Sequence, residues 1–211
     1  AFTWDLPEAR RLVGAWSKYY PVVRIGGPAL GDQTAMDFVP GRYIKQGVTF
    51  TSRGCNRKCP WCMVPEREGR IVEIKDFKEG HIIQDNNFLQ CSQAHQSRVF
   101  EMLRSQKEKS EFTGGIDCRL VNPWFAEQLL TLKLGQVFLA ADTNLSIKKL
   151  EKAREILREV PRKKLRAYTL MGFGNDTPSK ALRRMERVWD LGVTPYAQLY
   201  QPPNTWIEYS R

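Results

Sequence analysis

Three cysteines fall within one short stretch, Gly54-Cys55-Asn56-Arg57-Lys58-Cys59-Pro60-Trp61-Cys62. The spacing is C-x3-C-x2-C. Thiolates are soft ligands that select zinc or iron–sulfur centres. A closed structural zinc site takes four ligands, usually as two pairs, and here there is one triplet. Cys91, Cys118, His81 and His95 are the remaining residues that could complete a zinc knuckle. Three thiolates on a four-iron cluster instead leave one iron open to a substrate or cofactor. The odd total of 5 cysteines is a poor disulfide framework and suits a reducing compartment. A cytoplasmic location is therefore expected. Further polar groups recur just after apolar runs. They are Gln84-Asp85-Asn86-Asn87, Asp117-Cys118-Arg119, Asp142-Thr143 and Met171-Gly172-Phe173-Gly174. Asp117 and Arg119 lie two apart on an expected strand, so they share a side and can pair with each other.

The elements that must position these groups alternate between strand and helix. Strands are expected at Val48–Thr51, His81–Asp85, Phe112–Leu120, Gln136–Ala141, Leu165–Met171 and Pro195–Tyr200. Helices are expected from Ser92 to Lys109, from Asn122-Pro123 to near Gly135, and from Ser146 to Val160. A last helix follows Thr177-Pro178, with Leu182, Met185, Val188 and Trp189 facing inward. Ser92, Asn122 and Thr177 are cap residues, and proline follows two of them at the first helical position. Ile147, Leu150, Ala153, Ile156, Leu157 and Val160 give the third helix one apolar face. Such alternation implies a parallel sheet with right-handed crossovers. Six units make an open partial barrel, and parallel α/β sheets place their sites at the C-terminal ends of the strands. The expected fold is α/β, a partial (β/α)6 TIM-like barrel over residues 47–211.

The cysteine triplet, with aromatic Trp61 before its third member, resembles the signature of the radical S-adenosylmethionine (radical SAM) enzymes. That resemblance implies the same six-unit core. It implies that Cys55, Cys59 and Cys62 ligate three irons of a 4Fe–4S cluster and that S-adenosylmethionine binds the fourth. Reductive cleavage of the sulfonium would yield a 5′-deoxyadenosyl radical that abstracts hydrogen from a substrate. An external one-electron reductant of flavodoxin or ferredoxin type is implied as well. Gln84, Asp85 and Asn86 match the stretch that holds the cofactor's ammonium group. Arg119 is a candidate for its carboxylate, since guanidinium grips carboxylate in a fork. Asp117 faces the cofactor or substrate, Asp142 meets the ribose, and Met171 with Gly172 forms the adenine-side loop. Arg53, Arg57 and Lys58 would stabilise the extra electron. Cys91 and Cys118 are too few for a second cluster, and Cys118 reads as a small buried residue.

Residues 1–46 read differently. Asp5 caps a helix bearing Ala9, Leu12, Val13, Trp16 and Tyr20, then Val22–Ile25 reads as a strand and Gly26-Gly27-Pro28 as a turn. This pattern resembles the closing part of the cobalamin-binding domain found upstream of many radical SAM cores. The cobalamin-ligating Asp-x-His-x-x-Gly pattern is absent, so a small remnant without its own cofactor is expected. The chain has 211 residues and a formal net charge of +10. No apolar run reaches the roughly 18 residues of a membrane span. The charge fits an anionic partner such as RNA or a phosphorylated metabolite, but it is spread over helix faces, and solubility is the simpler explanation. A basic zinc-stabilised nucleic-acid-binding module and a catalytically degenerate partner protein are the alternative readings.

Overall fold

The computed structural model describes residues 6–25 and 45–200. Contacts divide the chain into two units, Ala1–Phe38 with Gln201–Arg211, and Val39–Tyr200. The described part of the first unit holds one helix, α1 (Leu6–Trp16), with no buried residue. Its first turn carries a Glu8–Arg11 ion pair. The strand expected at Val22–Ile25 does not form; these residues run as irregular chain after a turn at Ser17–Tyr19. The Asp5 cap and the Gly26-Gly27-Pro28 turn lie outside the described residues.

The second unit is α/β. Its elements in chain order are β1 (Val48–Thr49), β2 (Ser52–Arg53), α2 (Val64–Glu68), β3 (Val72–Glu73), β4 (Ile82–Ile83), α3 (Gln93–Ser105), β5 (Ser110–Asp117), α4 (Pro123–Leu130), β6 (Leu134–Ala140), α5 (Asn144–Ile156), β7 (Leu165–Met171), α6 (Pro178–Asp190) and β8 (Thr194–Leu199). Six strands form one sheet in the order β1-β4-β5-β6-β7-β8. Every pairing in it is parallel, so all six C-terminal ends lie along one edge. Pro195, which cannot donate to a ladder, sits on β8 at the sheet's end, where proline is tolerated.

Local chemistry fixes the helix starts. The Asn122 side chain accepts from the Phe125 N–H at 2.9 Å, and Pro123 follows it. Thr143 and Ser146 form a reciprocal capping box, so α5 begins earlier than the expected Ser146. Thr177 accepts from the Lys180 N–H ahead of α6.

The core lies between sheet and helices. Phe88, Phe100, Phe112 and Phe125 are fully buried. Their rings pack with centroids 5.6 to 6.0 Å apart. Val137, Leu139, Leu165 and Ala167 join them from β6 and β7. Alternate residues of the same strands face the other way. There Phe138 stacks on Tyr168 at 4.9 Å, and Tyr196 meets both rings edge-on.

Helix α6 is rotated from its expected setting. Ala181, Arg184 and Val188 are buried, while Leu182 and Trp189 are exposed. The cause is Arg184, which turns inward to Asp176 at 2.7 Å and to the Leu170 carbonyl. The first expected strand also ends early, at Thr49. Asp85 captures the N–H and hydroxyl of Thr51, and the chain then turns into β2, which pairs antiparallel with β3.

Candidate functional site

The cysteine loop follows β2, a few residues beyond the C-terminal end of β1, and with α2 it forms the connection from β2 to β3. Gly54 opens it with φ +78°, and an added Cβ there would collide with the Arg70 carbonyl. The Cys55 N–H donates to the Gly69 carbonyl at 3.0 Å. Glu68 ties the loop from the end of α2. It accepts from Arg53 at 2.6 Å, from the Gly54 N–H at 3.0 Å, and from the Asn86 amide. Asn56 donates its N–H to Gln90 at 2.7 Å and accepts from the Ile71 N–H. Both flanks are thus pinned, and the three cysteines between them are free thiols.

Their sulfurs have different surroundings. Cys55 Sγ accepts from the Arg57 N–H at 3.4 Å and from the side-chain amides of Asn87 and Gln90, each at 3.5 Å. Burial and the adjacent Cys62 raise the Cys59 thiol, against the Arg119 guanidinium, which lowers it. Burial raises Cys62 too, with Cys55, Asp142 and Glu68 adding to it and the Val64 N–H opposing. The three thiols are therefore near enough to act on one another. Among the described residues, no three Cys, His, Asp or Glu side chains converge as ligands of one ion do. By softness and number the three donors are of the type that zinc and iron–sulfur centres take.

The other expected residues divide into two sets. Asp117, Arg119 and Asp142 come together beside the cysteines. Asp117 accepts from Arg119 Nε at 2.7 Å and from Arg57 Nε at 2.9 Å. Burial raises its carboxyl, but the Arg119 hydrogen bonds win and hold it below its ordinary value. Arg57 thereby fastens the cysteine loop to the end of β5. Burial pushes Asp142 up to about 6 against the nearby Arg119 and Arg184. Trp61 meets Phe173 edge-on at 5.6 Å, which brings the motif to the loop after β7. Met171, half-buried, closes β7, and in the loop after it Gly172 donates its N–H to Asp176.

Asp85 and its neighbours are placed differently. The Asp85 carboxylate is buried and faces inward, accepting from Thr51 and Ser52 at 2.5 to 2.7 Å. It joins the end of β1 to β4 and offers no free oxygen to a ligand. Asn86 is engaged by Glu68. Gln84 is exposed, with its N–H on the Thr49 carbonyl in the ladder. Arg53 is neutralised by Glu68 and stacks over Phe50 at 4.8 Å, so it does not serve the sulfurs.

The chain matches no protein-family model and no curated protein.

A cleft of about 340 Å³ opens at the same edge, between the loops after β6 and β7. Asp142, Thr143, Asn144, Phe173, Asp176 and Lys180 line it. This wall is rich in hydrogen-bonding groups and carries one aromatic ring. Glu68, Gln90, Asp176 and Arg184 carry no pattern in the sequence that marks them as site residues. Asn87 and Phe173 lie inside the stretches Gln84–Asn87 and Met171–Gly174 that the sequence singles out. None of the residues that could complete a zinc knuckle converges with the triplet among the described residues. Cys118 is buried, donates to the Ala140 carbonyl at 3.2 Å and is pushed by burial to about 12. Cys91 is raised by burial to about 12 as well. His95 is buried edge-on to Phe77, and His81 packs against Gly47.

Proposed function

We propose that this chain is a radical SAM enzyme acting on a substrate yet to be identified. One observation carries the reading. A C-x3-C-x2-C loop with three free thiols is pinned at the C-terminal edge of a six-stranded parallel sheet. Chain-order pairing of the strands supports the finer reading of the sheet as an open (β/α)6 barrel. Cys55, Cys59 and Cys62 would hold three irons of a 4Fe–4S cluster. When bound, the cluster supplies the electron that cleaves S-adenosylmethionine, drawn from an external one-electron reductant. Trp61 and Phe173 wall the space beside the loop, and the neighbouring cleft fits a ribose and its ring. Asp142 and Asn144 would take the ribose hydroxyls, while the backbone at Met171 and Gly172 lies beside the adenine. Arg119 already shares its charge with Asp117 and reaches Cys59, so it would meet the methionine carboxylate from that position.

Anaerobic reconstitution with iron and sulfide tests this. Wild type should take up about one four-iron cluster per chain and gain broad visible absorption, and Cys55→Ala should lose both. Tight binding of one zinc with no cluster would overturn the reading and favour the basic zinc module. Reduction of the loaded protein with S-adenosylmethionine present should release 5′-deoxyadenosine. A loaded protein that releases none points to a catalytically degenerate chain.

A further inference from the structure

The three cysteine sulfurs are not equivalent. Cys55 receives two side-chain amides, Asn87 Nδ2 and Gln90 Nε2, both at 3.5 Å. These donors come from outside the motif, on the segment that follows β4. Each is held in place. Asn87 is 5% exposed and precedes the 3-10 turn Phe88–Gln90. Gln90 is anchored through its oxygen, which accepts from the Asn56 N–H at 2.7 Å, so its NH2 is aimed at sulfur. The buried Asn87 oxygen has no partner. That amide is oriented by what its nitrogen does rather than by what its oxygen gains.

Resting on the cluster reading, we propose that Asn87 and Gln90 are positioning residues that set the reduction potential of the iron bound by Cys55. A hydrogen bond to a cluster sulfur is worth more in the reduced state, which carries one more negative charge. Two donors on one thiolate therefore raise the potential and bring the cluster within reach of a biological reductant. They also make the cluster asymmetric, with electron density favoured on the Cys55 side. The interaction moves no proton and needs no further reactant.

The test is a dye-mediated redox titration of the reconstituted full chain, followed by electron paramagnetic resonance. Gln90→Leu and Asn87→Leu each remove one donor to sulfur without adding a charge. Each variant should load iron as wild type does. Each should make reduction roughly threefold less favourable, and the pair about tenfold, which is about 59 mV for one electron. Loaded variants with an unchanged potential would overturn the proposal while leaving the cluster reading intact. Loss of loading in both variants would also overturn it, because the amides would then be props for the loop. A wild-type chain that takes up no cluster removes the underlying reading itself, and this proposal with it.

Discussion

Asp142 carries a carboxyl that burial has pushed up to about 6. A group raised in the folded state adds stability below its unfolded value, 3.8. That contribution is lost as the pH climbs through about 6. Near neutrality the folded chain therefore holds an unwelcome charge. Asp142→Asn should be more stable than wild type at pH 7, by about 1–2 kcal/mol after allowing for partial exposure. The advantage should shrink steadily as the pH is lowered to 4. Urea unfolding of the ligand-free protein at several pH values checks it, and a gap that does not vary with pH would refute it. The cysteine triplet was fully legible from spacing, because its chemistry is local. Asp85 was not. Its residue type suits both a ligand and a brace, and only the fold brings Thr51 and Ser52 onto it. Asn87 and Gln90 were hidden for the same reason, since amides turned toward a sulfur leave no pattern in a sequence.

At the scale of elements, the Ser92, Asn122 and Thr177 caps of α3, α4 and α6 were readable because capping is a contact between near neighbours, whereas the Thr143 cap of α5 was not. The β2–β3 hairpin was unreadable, since two strands of two residues each carry no periodicity. Helix α6 was misread for a different cause. Leu182 and Trp189 suggested an inward face, but the buried Arg184 fixes the rotation through Asp176. That pair gives a sharp expectation. Asp176→Ala leaves the guanidinium buried without its partner and should cost about 3–5 kcal/mol. Adding Arg184→Met should recover a good part of that loss, because an apolar side chain needs no counter-charge. Denaturant melts of both variants decide it. Equal destabilisation in the single and double variants would mean that the ion pair does not set the helix.

Across the larger unit, the Phe88–Phe100–Phe112–Phe125 cluster joins α3 and α4 to β5. Phe100 touches three other rings of that set, and Trp124 besides. Phe100→Ala should therefore destabilise the chain by about 3–5 kcal/mol. An equilibrium denaturation curve with an unaltered midpoint would show that the cluster does not anchor the fold. The class of fold was legible from the strand–helix alternation, whereas sheet closure was not, because closure depends on how strands coil rather than on which residues they contain. The strand order itself has a kinetic consequence. Each strand of the sheet after β1 pairs with the sheet strand before it in the chain, so the sheet can grow in chain order. Every pairing must still close a long crossover, as from Val48 to Ile82, and parallel pairings of that kind form slowly. A chain emerging from a ribosome could add one strand and its helix at a time. The cysteine loop would then be among the first parts laid down, while its anchors at Arg57–Asp117 and Asn56–Gln90 would close in the order in which their strands arrive.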